Sequence, residues 1–321
     1  MSILNQILLG DCREIMGSLE AESISACITD PPYNYEFVGH KWDAEEIKRR
    51  TERVKGASSR TLVKNNPYGS GLAGGVRNKR WYQRVQENIL DYSEWCFEWG
   101  QQVFRVLKPG GMIAVFNSTR TMAHVQVALE RAGFYTRDCI VYRRHSGIPK
   151  GLNLGAKLKQ LNHPDHAQWE GWHSCLRNEW EAIVILQKPL DQNYITTFLK
   201  NEIGLFYTLN ADHSFQSNII ENIPREPEEA FNVHCTVKPL PLMEKLITLM
   251  VPPSEKHIVL DPFAGSGTTL VAAKKLHRSY IGIEIVPEYI GIIQQRLAQV
   301  DSVQHQKPSS NTHPYTLPLF E

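Results

Sequence analysis

At 321 residues, 42% of them hydrophobic, the chain is long enough for one large α/β domain with insertions or for two smaller ones. No apolar run approaches membrane-spanning length, and Met1 to Asp11 lacks the basic-then-apolar pattern of a signal peptide, so a cytoplasmic protein with no membrane partner is expected. A formal net charge of +1 says nothing for nucleic acid by itself, and six cysteines without Cys-x-x-Cys spacing read as reduced thiols.

Ile3 to Leu9 is the first strand, closed by Gly10-Asp11, and a helix follows through Ile15 and Leu19 that Asp11 can cap. Ile24 to Thr29 is the second strand and delivers Asp30-Pro31-Pro32-Tyr33 to its carboxyl end. Ligands of open α/β sheets sit beyond the carboxyl ends of strands, which makes Asp11 and Asp30 neighbours there. Residues 39–85 break periodicity, with turn signals at Asn65-Asn66-Pro67 and Gly74-Gly75. Between Lys48 and Arg84, eleven Lys or Arg face Glu52 alone. Such a run suits either contact with a nucleic-acid backbone or a solvated insertion, and the scarcity of acids favours the first. Lys48, Arg49, Arg50, Arg77, Lys79 and Arg80 are its candidate contacts.

Tyr92, Trp95, Trp99, Val103, Val106 and Leu107 recur at helical steps and predict a helix over 91–107, its aromatics belonging to the core. Lys108-Pro109-Gly110-Gly111 ends it, and Met112 to Phe116 is a buried strand. A helix over 121–132 and a strand over 138–142 follow. Arg143 to Gly151 is a basic loop that includes Arg144 and Lys150. His163, His166 and His173 lie in loop-like surroundings without a nearby thiolate, which fits polar contacts rather than a metal site; no metal is expected. Trp180 to Leu186 is a strand, whereas Asp191 to Val233 has a mixed pattern with seven acids against Lys200 and Arg225. Leu240 to Met250 is an apolar helix stopped by Pro252-Pro253.

His257 to Thr269 carries the most specific local pattern. A short apolar strand ends at Asp261-Pro262, and Phe263-Ala264-Gly265-Ser266-Gly267 forms a turn that lets backbone approach a ligand closely. Thr268 and Thr269 open a helix whose N–H groups face that turn. Tyr280 to Ile283 is the next strand, and Glu284 at its end is suited to a ribose hydroxyl. Leu270 stands where a dinucleotide-binding fingerprint has its third glycine, which speaks against a nicotinamide-dependent oxidoreductase. Glu288 to Val300 is an amphipathic helix, and 301–321 is expected to be a flexible tail.

Asp30-Pro31-Pro32-Tyr33 together with Asp261-Pro262-Phe263-x-Gly265-x-Gly267-Thr268-Thr269 resembles the S-adenosylmethionine-dependent DNA amino-methyltransferases. The order of the two motifs is similar to the permuted, β-type arrangement of that family. The resemblance covers most of residues 3–300. It implies an α/β, Rossmann-like methyltransferase sheet, doubly wound and circularly permuted, with DNA-contacting loops inserted over 39–85 and target-recognition candidates at 143–175 and 191–233. It implies catalysis by Asp30, Pro31, Pro32 and Tyr33 on a base rotated out of duplex DNA. S-adenosyl-L-methionine would be held by Asp11, Asp30, Thr236, Lys238, Asp261, Phe263, Ala264, Gly265, Ser266, Gly267, Thr268, Thr269 and Glu284. His234-Cys235-Thr236-Val237-Lys238-Pro239 resembles the family's His-Pro-Thr-x-Lys-Pro segment with Cys235 replacing a proline, and Lys238 would sit near the cofactor carboxylate or be an exposed helix-start lysine. Arg143, Arg144 and Lys150 fall in the loop that lines the target-base pocket in that family.

An aspartate in the first motif goes mostly with adenine-N6 as acceptor, a serine with cytosine-N4, so adenine is the expected target. RNA or a protein glutamine is a competing acceptor, and a non-catalytic DNA-binding module is a further reading. Expected partners are double-stranded DNA, a second copy in a homodimer and a cognate restriction endonuclease. Tyr315 to Phe320 faintly resembles the peptides that bind bacterial sliding clamps.

Overall fold

Six consecutive buried residues, Ile24–Thr29, form strand β2 at the centre of the sheet. The computed structural model describes residues 4–32, 79–144, 151–210, 212–224, 229, 231, 232, 234 and 237–306, with 79–88 and 302–306 as backbone only. A strand buried on both faces reads as a continuous apolar run, and β2 splits its side chains accordingly: Ala26 and Ile28 enter one core, Cys27 the other.

The described elements, in chain order, are β1 (Gln6–Leu9), α1 (Cys12–Gly17), β2, α2 (Lys79–Val106), β3 (Leu107–Asn117), α3 (Met122–Arg131), β4 (Tyr135–Arg143), α4 (Leu154–Gln160), β5 (Trp180–Gln187), α5 (Tyr194–Asn201), β6 (Ile219–Ile220), α6 (Leu240–Met250), β7 (Ile258–Asp261), α7 (Thr268–Lys275), β8 (Ser279–Glu284) and α8 (Pro287–Gln306). A short 3-10 helix, Pro164–Trp169, follows α4. Eight strands form one sheet in the order β1-β8-β7-β2-β3-β5-β4-β6. β5 runs antiparallel to β3 and β4, and the other pairings are parallel. Helices α1, α2 and α3 cover one face, whereas α6, α7 and α8 cover the other. The sheet is therefore doubly wound.

β2 lies between β3 and β7, in register at Ala26↔Val259 and Cys27↔Leu260. Two segments more than two hundred residues apart in sequence thus end side by side at one sheet edge. Three elements depart from the sequence pattern. Helix α2 begins at Lys79, so residues 79–85 of the expected irregular segment are helical. Lys, Arg and Gln there favour helix without marking an apolar stripe. Helix α8 continues to Gln306, so the first residues of the expected tail are helical too. Within 191–233, α5 is capped by Asn193, whose side chain accepts from Thr196 N. Asn201 Nδ2 of that helix donates to Pro109 O at the start of β3, the sheet edge remote from Asp30. Among the described residues of 191–233, Ile219 and Ile220 of β6 pair with Val141 and Tyr142, and Glu229 reaches Arg296 of α8 behind the glycine loop.

Candidate active site

The site is built on the carboxyl ends of β2, β7 and β8. Asp261 closes β7 and is buried, and both its oxygens are committed to the fold. Oδ1 accepts from Thr29 Oγ1 at 2.7 Å and from Phe263 N at 3.1 Å, and Oδ2 from Thr269 Oγ1 at 2.6 Å. Burial pushes its carboxyl up to about 6 against those three hydrogen bonds. The aspartate of the glycine loop thus clips β7 to β2 and to the first turn of α7, and does not itself reach outward.

Beyond it the backbone turns sharply. Gly265 and Gly267 both have positive φ, +53° and +76°. A Cβ on Gly265 would stand 2.8 Å from His234 Nε2, and one on Gly267 2.6 Å from Ile293 Cγ2. Only glycine fits both positions. Glu284, at the end of β8, accepts from Gly265 N at 2.7 Å and from Val286 N at 2.8 Å. Burial dominates there too and raises its carboxyl to about 7. Arg296 of α8, buried, braces the loop from behind: its guanidinium donates to Ser266 O at 2.9 Å and Thr268 Oγ1 at 2.8 Å and pairs with Glu229 at 2.9 Å. The side chains of Ser266, Thr268 and Thr269 are therefore internal, and Ala264 is buried with its N–H on Ile283 O.

One strand over, Asp30 ends β2. Lys238, just before α6, places its ammonium 2.9 Å from Asp30 Oδ2 and 3.4 Å from Glu181 Oε2, above the Phe116 ring at 4.9 Å. Burial works to lower the Lys238 ammonium, but the two carboxylates outweigh it and raise it. The lysine is thus neither an exposed helix-start residue nor isolated beside the glycine loop; its charge sits on the catalytic candidate. His234 is held down to about 4 by burial and by the Lys238 and Arg296 charges, so it is neutral.

On the opposite face, Tyr92 of α2 donates its hydroxyl to Pro32 O at 3.0 Å. Trp95 of the same helix packs tilted against Phe263 and Trp99 meets it edge-on, with ring centroids 5.4 and 5.5 Å apart. All three α2 aromatics are core, as their spacing predicts. They also tie the Asp30-Pro31-Pro32 turn to the glycine loop. Asp11 caps α1 through Arg13 N at 2.9 Å, and the Arg13 side chain bonds the same carboxylate and holds it below the usual carboxylate range. Arg143 is exposed and pairs with Glu221, and Arg144 reaches Glu181 at 3.3 Å. Lys79 and Arg80 lie on the first turn of α2. Tyr33, Lys48, Arg49, Arg50, Arg77, Lys150 and Thr236 lie outside the described residues. Sequence reasoning missed Glu181, Arg296 and the Tyr92 contact. A charge at the head of an apolar strand, and one inside the buried stripe of α8, were the available signals for the first two.

A doubly wound sheet with these two turns abreast places the chain among the Rossmann-like methyltransferases. The profile of the N6/N4 DNA methylase family matches residues 24–295, and the chain belongs to that family. It is 31% identical over 280 residues to the type II methyltransferase M.HindIII of Haemophilus influenzae, an alignment covering 83% of this chain and 86% of the relative. Two solved structures share the fold at lower identity. The M1.HpyAVI–SAM complex is 21% identical with a TM-score of 0.52, covering 91% of this chain and 98% of that one. PvuII DNA methyltransferase (cytosine-N4-specific) is 16% identical with a TM-score of 0.57, covering 94% and 91%.

Proposed function

We propose that this DNA methyltransferase transfers a methyl group from S-adenosyl-L-methionine to the exocyclic N6 of adenine in duplex DNA, on the permuted β-type arrangement of the family. The observation that carries it is the Asp30 carboxylate, held by Lys238 at 2.9 Å at the end of the strand next to the glycine loop. The residues present fit the cofactor. Left-handed glycines clear a close approach, Phe263 supplies a ring, and Glu284 places a carboxyl against the loop where a ribose would lie. When bound, the cofactor supplies a methyl already activated on a sulfonium, so no covalent enzyme intermediate is needed.

The chain's own work is on the acceptor. An exocyclic base amine is conjugated into its ring and is a poor nucleophile. Asp30 and the Pro31 carbonyl accept its N–H bonds, favour pyramidal nitrogen and stabilise the positive charge that develops there. Two prolines in succession offer no competing N–H and keep the turn stiff, and Tyr92 fixes the Pro32 carbonyl from the far side. Tyr33 is proposed to stack on the extruded base, and the basic residues of 39–85 to hold the phosphate backbone.

Adenine is favoured because the first motif residue is Asp30, where cytosine-N4 enzymes of the type it resembles carry serine. Nucleoside mass spectrometry of duplex DNA incubated with protein and cofactor tests this. N6-methyladenine is expected; N4-methylcytosine as the product overturns the choice of base, and methyl found only in RNA or protein overturns duplex DNA as the substrate. Asp30→Ala is expected to abolish transfer while cofactor binding, measured by calorimetry, survives. Normal turnover in that variant would refute the assignment of Asp30.

A further inference from the structure

We propose that Glu181 is a positioning residue for methyl transfer: through the Lys238 ammonium it fixes the Asp30 carboxylate in the orientation that receives the base amine. Glu181 is the second residue of β5, and every later residue of that strand, Ala182 to Gln187, is buried. Its side chain is 13% exposed, and its two oxygens are divided, Oε2 to Lys238 at 3.4 Å and Oε1 to Arg144 at 3.3 Å. The Lys238 side chain is 11% exposed and is shared between Glu181 and Asp30. Buried ion clusters are weak contributors to stability, and apolar residues of the same size commonly serve a fold as well or better. Their use at the head of the apolar run Ala182–Leu186, on an ammonium shared with Asp30, points to the site.

The charges explain what Glu181 adds. Asp30 and Lys238 alone form a neutral pair in which the ammonium competes with the amine for the carboxylate. A second carboxylate on the same ammonium divides its hold and leaves more negative potential where the positive charge develops. Arg144, on the outer side and 34% exposed, closes the far end of the chain of charges. Among the described residues, the groups facing Lys238 include Asp30 just after β2, Glu181 from β5, Tyr142 from β4, Arg144 beyond it and His234 from its own segment. Of these, Asp30 and Glu181 keep its ammonium charged against burial.

The inference rests on Asp30 being the acceptor of the amine, and the experiment separates the two. Steady-state kinetics of Glu181→Gln, Lys238→Met and the double variant are compared with the unmodified enzyme and Asp30→Ala. For Glu181→Gln the expected result is a fall in kcat of about ten- to a hundredfold, as for outer partners of a reacting group, with KM for S-adenosylmethionine within about threefold. The alkaline limb of its kcat profile moves to lower pH, because Lys238 has lost one of two carboxylates. The double variant is no slower than Lys238→Met. Wild-type kcat in Glu181→Gln, an unmoved alkaline limb, or losses that multiply in the double variant would overturn the inference. Glu181→Asp restores the charge; a limb left where Glu181→Gln puts it would also overturn the inference. An active Asp30→Ala removes the underlying reading, whereas an inactive Asp30→Ala beside a fully active Glu181→Gln removes this inference alone.

Discussion

Glu284 gives the site a pH signature that can be measured without substrate. Its carboxyl is buried against the glycine loop and lifted from an ordinary 4.5 to about 7, because two backbone N–H groups only partly replace the water it has lost. The folded protein therefore holds this proton more tightly than the unfolded chain does. Stability attached to the group is fully present below pH 4.5 and is lost as pH rises through about 7. At 1.36 kcal/mol per tenfold change in proton affinity, the gap corresponds to about 3 kcal/mol. Glu284→Gln removes the titration and keeps the shape, at the cost of turning an amide N–H toward one backbone donor. Urea unfolding followed by tryptophan fluorescence from pH 4.5 to 8 isolates the effect as a difference between the two proteins. The variant should gain on the wild type by about 3 kcal/mol across that range, while losing affinity for S-adenosylmethionine at pH 8 if the carboxylate meets the ribose. Parallel stability curves would show that Glu284 is not held in the environment described.

Tyr92→Phe removes one hydrogen bond to Pro32 O and leaves the aromatic cluster in place. It should cost about 1 kcal/mol in stability and several-fold in kcat, with cofactor affinity unchanged; equal losses in kcat and cofactor affinity would place its effect on the glycine loop instead. Gly267→Ala forces a Cβ into left-handed backbone and onto the buried Ile293. A destabilisation of about 2 kcal/mol or more is expected from strain and overpacking, seen in denaturant melts, together with at least a tenfold weaker cofactor affinity by calorimetry.

Where a segment's own pattern determines its structure, the sequence was sufficient. Leu240–Met250 is bracketed by prolines, and the helix has those same ends. The strand over Trp180–Leu186 was legible from its unbroken apolar run Ala182–Leu186, and the two turns because Pro-Pro stiffens the backbone and Gly-x-Gly permits left-handed φ. Helix α5 escaped notice because Ile195, Thr196 and Thr197 are β-branched and the helix has only eight residues, so capping and packing outweigh propensity. The role of Lys238 was beyond any spacing argument. Its partners come from β2 and β5, brought together only by the strand order, so the sequence offered a helix start and the fold supplied two carboxylates. Asp11 caps α1, a role its position allows alongside the proposed one at the cofactor.

β2 draws one neighbour, β3, from the middle of the polypeptide and the other, β7, from beyond residue 257. A ribosome making this protein has delivered about four-fifths of it before β7 exists, and until then β2 has one flank without its partner. The proposed methylating site therefore cannot assemble on a nascent or prematurely terminated chain, and such a chain leaves an apolar strand edge open to pairing with others. Early-stop products of this protein should accumulate as aggregates rather than as weakly active enzyme.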